Sequence, residues 1–268
     1  MRSILLHAEH NPAGENRLQT ALDIARRFGG HLTAHINTPI GRLFAMDGFG
    51  GVYPLTELIA KAQVDAGALV SEMDARLARD DVPFTVERSE FEPADGLSAS
   101  ARLADLVVMD LDDLSKIARP QTSMVGAVAL AGGAPVLALV RGKPLALDGT
   151  VMIAWNDSRE AAAAVKAAVP LLALAKSVRV VRIERNDHDL QAESVLAYLS
   201  RHNIHAELKV ADDGWLTIEE GLEHEAQALG ADWIVMGAYG HSRIREILFG
   251  GVTRYLLESA QFPLFIAH

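Results

Sequence analysis

Short continuous apolar runs alternate along this chain with longer stretches whose apolar residues recur at helical spacing. In the second half, Val151 to Trp155 is apolar throughout, as expected of a strand covered on both faces. Ser158 suits a helix N-cap, and the Ala- and Leu-rich stretch Ala161 to Ala175 reads as helix. The pattern then predicts strand over Val178 to Ile183, helix over Leu190 to Ser200 and strand over His205 to Val210. Helix over Ile218 to Leu229, a short strand over Ile234 to Met236, helix over Val252 to Ser259 and strand over Leu264 to Ala267 complete it. The first half gives the same order. Its uncharged stretch from Pro120 to Val140 is broken by Gly132, Gly133 and Pro135, so it reads as helix, turn and buried strand rather than as a membrane span.

The two halves also share sequence. Ala104-Asp105-Leu106-Val107-Val108-Met109 recurs as Ala231-Asp232-Trp233-Ile234-Val235-Met236, and Ala134-Pro135-Val136-Leu137 as Phe262-Pro263-Leu264-Phe265. A repeat this long marks two copies of a domain, not a solenoid. Residues 1–141 form the first copy and 150–268 the second, joined by a polar linker rich in Gly and Pro. Five strands with intervening helices in each copy predict an α/β fold: two flavodoxin-like, doubly wound, mostly parallel five-stranded domains in tandem. The first copy is longer between its first and fourth strands, and the Gly-rich segment from Gly41 to Pro54 is the expected place for the insertion.

Composition narrows the function. Half the residues are hydrophobic, so the chain is not disordered. The net charge of −10 argues against nucleic acid as a partner, which needs a basic face. There is no cysteine, which excludes disulfides, thiolate metal sites and a cysteine nucleophile and is compatible with the cytoplasm, the expected location. The start of the chain is too soon charged for a signal peptide. Neither a Gly-x4-Gly-Lys-(Ser/Thr) loop, a Gly-x-Ser-x-Gly elbow nor a Gly-x-Gly-x-x-Gly after an opening strand occurs. The histidine pairs His31/His35, His7/His10 and His202/His205 have no zinc spacing, and Asp187-His188-Asp189 reads as the approach to a helix N-terminus.

One motif does carry chemistry. After the strand ending at Met236 come Gly237 and Gly240, and Gly250-Gly251-Val252-Thr253 opens the last helix. Glycines permit close backbone approach, and a helix N-terminus presents unpaired amides and partial positive charge to an anion. His241, Ser242, Arg243 and Arg245 add donors and cationic charge. In a doubly wound sheet such a loop lies at the carboxyl end of the strands, where ligands bind.

With these residues the sequence resembles the universal stress protein family in its tandem two-domain form. ATP-binding members of that family carry Gly-x2-Gly-x9-Gly-(Ser/Thr), matched here by Gly237, Gly240 and Gly250, with Thr253 at a further hydroxyl position. Two positions depart from the pattern: Gly251 stands where the motif has Ser/Thr, and Asn156 stands at the acidic position ending the first strand. The resemblance implies a phosphate cradle at Gly237, Gly240, His241, Arg243, Gly250, Gly251, Val252 and Thr253. Ala154, Asn156 and Ile183 would lie around ribose and adenine, and Mg²⁺ would accompany the nucleotide. It further implies that the final strands, Pro135 to Val140 and Pro263 to Ala267, pair the copies within the chain, which can still form a homodimer.

The first copy has Asp110 and Asp113 at the positions of Gly237 and Gly240, with Asp112 between, and Thr122-Ser123-Met124-Val125 at the last glycines. Such carboxylates would repel a triphosphate, so no nucleotide is expected there; a solvated acidic loop is favoured over a metal site. The expected function is a stress-response protein whose second domain binds ATP or a related adenine nucleotide as an effector or energy sensor. With no general base or catalytic lysine evident, it is at most a slow ATPase. The alternatives are a nucleotide-free scaffold and, behind it, a hydrolase of another small phosphorylated or acidic ligand.

Overall fold

The computed structural model describes residues 1–9, 14–41, 55–111, 123–184, 192–212, 214, 217–238, 251–259 and 261–268. The first half runs β1 (Ser3–Ala8), α1 (Gly14–Phe28), β2 (His31–Asn37), α2 (Leu55–Leu77), β3 (Phe84–Ser89), α3 (Pro93–Ala101), β4 (Leu106–Asp110), α4 (Met124–Ala131) and β5 (Val136–Leu139). The second half repeats that order. It runs β6 (Thr150–Ala154), α5 (Arg159–Leu172), β7 (Ser177–Glu184), α6 (Ala192–Arg201), β8 (Ala206–Asp212), α7 (Ile218–Leu229), β9 (Trp233–Gly237), α8 (Gly251–Ser259) and β10 (Leu264–Ala267).

All ten strands belong to one sheet in the order β3-β2-β1-β4-β5-β10-β9-β6-β7-β8. Pairing is parallel within each half and antiparallel only at the junction, where Leu264, Phe265 and Ile266 oppose Ala138, Leu137 and Val136. The order reads as five strands followed by their mirror image, so the halves meet edge to edge. Each junction strand covers an edge that the other half would otherwise leave unpaired. The strand registers also match residues between halves. Ser3 opposes His31 as Thr150 opposes Ser177, and Ile4 opposes Leu106 as Val151 opposes Trp233.

Both faces of the sheet are covered, which is why the strands are apolar without alternation. One core contains Leu22, Ile24, Leu32, Val165, Trp233 and Phe265; the other contains Leu97, Met109, Val136, Met152, Ile234 and Ile266. α5 and α7 start where a side chain satisfies a free amide. Ser158 accepts a bond from the Ala161 amide at 3.1 Å, and Thr217 with Glu220 forms a capping box on α7.

The halves differ most at the helix before β3 and β8. α2 has 23 residues and α6 has 10. Part of the extra length of the first half is therefore helix; residues 42–54, where it was expected as loop, lie outside the described residues. None of the described helices is long and apolar enough to cross a membrane.

Candidate functional site

β9, β6 and β7 are neighbours in the sheet, so the segments that follow them emerge side by side at its carboxyl edge. There a cavity of about 270 Å³ is lined by Ala154, Trp155, Asn156, Ser158, Ile183, Ile218, Leu222, Met236, Gly237, Gly251, Val252 and Thr253. The structure thus brings together Ala154, Asn156, Ile183, Gly237, Gly251, Val252 and Thr253 from the predicted site. Gly240, His241, Arg243 and Gly250 lie outside the described residues. Ile218, Leu222 and Met236 were not among the predicted site residues. Their signal was the helical spacing of Ile218 and Leu222, which shows one face of α7 but not what that face meets.

The cavity is chemically graded. Ile183, Ile218 and Leu222 form an apolar wall beneath β7 and α7. Gly237 and the start of α8 at Gly251 offer backbone at the opposite end. None of the described lining residues carries a formal charge. The slot thus offers aliphatic side chains at one end and helix amides at the other.

Gly237 has a structural cause that the sequence did not show. A Cβ there would stand 2.5 Å from the Glu160 carbonyl carbon and press on the Ala161 nitrogen. The first turn of α5 therefore rests directly on the end of β9. At Gly251, by contrast, the one neighbour a Cβ would meet among the described residues is Glu219 Oε1, at 3.6 Å. The described residues leave room for the hydroxyl that the sequence lacks at that position.

Asn156 is held by the turn into α5. Its Oδ1 accepts from the Ser158 amide at 3.2 Å and from the Ser158 hydroxyl at 2.7 Å. Asp157 between them has φ 58°, a left-handed conformation that Asn and Asp tolerate better than most residues.

In the first half the matching positions are polar. By strand register His7 corresponds to Ala154, Glu9 to Asn156, Asn37 to Ile183 and Asp110 to Gly237. Arg17 of α1 reaches Asp110 at 2.6 Å and Glu9 at 3.6 Å. Asp110 was expected as part of an acidic loop facing solvent; instead it is 5% exposed and ion-paired. Burial raises the pKa of its carboxyl and lowers that of the Arg17 guanidinium, and the attraction between them opposes both shifts. Asp112, Asp113 and Thr122 lie outside the described residues.

His7 is 3% exposed, and burial lowers its pKa from 6.5 to about 3, with the positive charge of Arg17 acting in the same direction. Beside it, His35 Nδ1 lies 2.5 Å from Glu87 Oε1 and 3.1 Å from Ser100 Oγ, while Asn37 donates to Ser89 Oγ at 2.8 Å. Burial raises the pKa of the Glu87 carboxyl, but bonds from His35 and Ser100 outweigh it and leave that pKa below its ordinary value. Protein side chains thus bond one another where the second half has an aliphatic wall. Among the described residues no group of three or more His, Cys, Asp or Glu is placed to hold a metal ion.

Two doubly wound α/β domains sharing one sheet, with a crevice at the strand ends of the second, define the class of protein. Residues 149–268 match the profile of the universal stress protein family. The second half is thus similar in sequence to that family, and the first half repeats the fold of the second. A universal stress protein from Archaeoglobus fulgidus aligns with 99% of this chain and 96% of its own length, at TM-score 0.73 and 12% identity. A functionally unknown protein from Pseudomonas aeruginosa covers 100% and 92%, at TM-score 0.62 and 13% identity. A putative universal stress protein from the same species covers 100% and 93%, at TM-score 0.59 and 14% identity. At these identities the likeness is one of fold. No curated protein sequence matches the chain.

Proposed function

We propose that the second half binds an adenine nucleotide, ATP or a relative, and that the chain serves a cytoplasmic stress response in which the nucleotide is effector or energy sensor. The observation that carries this reading is the convergence of Ala154, Asn156, Ile183, Gly237, Gly251, Val252 and Thr253 on one graded cavity. The aliphatic wall suits the base, and the start of α8 suits phosphate. Mg²⁺ would come with the nucleotide and be held mainly by phosphate oxygens and water, since the described lining offers no carboxylate. That lining also holds neither a general base nor a lysine, so the nucleotide is read as a ligand rather than as a rapidly consumed substrate.

The first half has a different role in this proposal. Its Arg17–Asp110 pair and its His35–Glu87 contact take up the equivalent ground, so it acts as a structural partner without nucleotide. Those contacts also favour the second reading, a scaffold that binds no nucleotide in either half. Mass spectrometry of the denatured purified chain for retained nucleotide, with calorimetry against ATP, AMP and adenosine, separates the two. Binding of ATP with a phosphate-dependent gain over adenosine supports the first. No heat with any of the three leaves the scaffold.

A further inference from the structure

Asn156 is oriented by groups that leave it no choice. The Ser158 amide can only donate, so the atom facing it at 3.2 Å is the side-chain oxygen. The Ser158 hydroxyl oxygen accepts from the Ala161 amide, and its proton goes to the same Asn156 oxygen at 2.7 Å. Both acceptor positions of Oδ1 are therefore in use. What remains is the NH₂ group, which donates and never accepts, and which has no partner among the described residues. An aspartate in the same turn would keep a second oxygen for a ligand hydroxyl; Asn156 keeps a donor.

The position of Asn156 says which part of a nucleotide it meets. β6 lies between β9 and β7. Strands are about 4.8 Å apart, so a ligand reaching from Gly237 to Ile183 spans about 10 Å, and its middle crosses the end of β6. With the base at Ile183 and the 5′-phosphate at Gly237 and Gly251, that middle is the sugar.

A ribose hydroxyl can accept from the NH₂ group, but its own proton then finds no acceptor on Asn156. A phosphate oxygen at the same place needs only donors, and a bond to an anionic oxygen is about twice as strong as a neutral one. Among the described residues no carboxylate lines the cavity to repel it; Asp157, next along the chain, is exposed and outside the lining.

We infer that the site selects adenine nucleotides whose ribose carries a phosphate at the 2′ or 3′ oxygen over those with a free diol, and that Asn156 makes this selection. The inference rests on the reading of the cavity as an adenine nucleotide site. A separate phosphomonoester and a 3′,5′-cyclic diester share the required chemistry.

The test is calorimetry on the full chain and on Asn156→Asp, with AMP, adenosine 2′,5′-bisphosphate, adenosine 3′,5′-bisphosphate and 3′,5′-cyclic AMP. One or more of the ribose-phosphorylated ligands binds the natural chain about tenfold tighter than AMP, equivalent to ~1.4 kcal/mol, and their ranking identifies the source. Asn156→Asp keeps the turn, because a carboxylate also accepts from the Ser158 amide, and it reverses the preference. AMP binding as tightly as all three, or a preference unchanged in Asn156→Asp, overturns the inference while leaving an adenine nucleotide site. Binding of none of the four, nor of ATP, removes the site reading as well.

Discussion

Arg17 Nη1 stands 2.6 Å from Asp110 Oδ2, with the arginine 2% and the aspartate 5% exposed, at the strand end where the second half has Gly237. Removing Arg17 strips the buried Asp110 carboxylate of its ion-pair partner, and removing Asp110 leaves Arg17 the longer contact to Glu9 at 3.6 Å. Asp110→Asn or Arg17→Leu alone is expected to cost about 3–5 kcal/mol of stability, whereas Arg17→Met with Asp110→Leu recovers most of that loss. Urea unfolding of the three variants measures this; equal losses in singles and double would show that the pair is not the cause.

His7 should make the protein acid-sensitive. Its pKa falls from 6.5 to about 3 on folding, so between those values the unfolded chain takes up a proton that the folded one does not. The contribution is fully present above pH 6.5 and is lost as pH falls toward 3, at no more than roughly 1.4 kcal/mol per pH unit. His7→Leu, which places an apolar residue where the second half has Ala154, flattens this part of the stability profile. The check is unfolding free energy of both proteins from pH 7 to pH 4.

The fourth residue of α3, Gly96, and that of α7, Gly221, should respond oppositely to alanine. A Cβ at Gly96 would stand 2.5 Å from Ser89 Oγ and 3.1 Å from His35 Nε2, inside the polar network. At Gly221 its nearest neighbour is Ile183 Cδ1 at 3.4 Å, an ordinary contact. Gly221→Ala is therefore expected to gain up to about 1 kcal/mol from helix propensity. Gly96→Ala is expected to lose about 1–3 kcal/mol through overpacking. Thermal unfolding of the two variants, side by side, decides the sign.

Two further substitutions address the phosphate end of the proposed site. Gly240→Asp brings a carboxylate like those of the first half into the loop and should weaken ATP binding by at least about tenfold. Gly251→Ser supplies the absent hydroxyl where, among the described residues, Glu219 Oε1 at 3.6 Å is the one neighbour of the added atom, and should tighten binding. Calorimetry with ATP reads both; a Gly240→Asp protein with natural affinity counts against phosphate binding at this loop.

Gly237→Ala acts through a different contact. The added methyl group presses on Glu160 and Ala161, so α5 must move off the end of β9. The expected result is a loss of stability of about 1–3 kcal/mol with or without ligand. A variant that keeps full stability and loses only nucleotide affinity would show instead that the glycine serves the ligand directly.

The order of strands and helices, the duplication and the glycine loop were legible along the chain because each is a local signal. Val151 to Trp155 is apolar without alternation because helices cover both faces of its strand, and the Ser158 cap lies beside the helix it starts. Tertiary structure decided what those elements do to one another. Arg17 and Asp110 are distant in sequence, and only the parallel sheet brings the first turn of α1 onto the end of β4. The clash that makes Gly237 necessary comes from the backbone of Glu160 and Ala161, which no residue pattern displays. Helical spacing marked Ile218 and Leu222 as one face of α7, but the packing of that helix beside Ile183 made them the wall of a cavity. Periodicity reports which side of an element is apolar; the other surface it meets is set by how the whole chain folds.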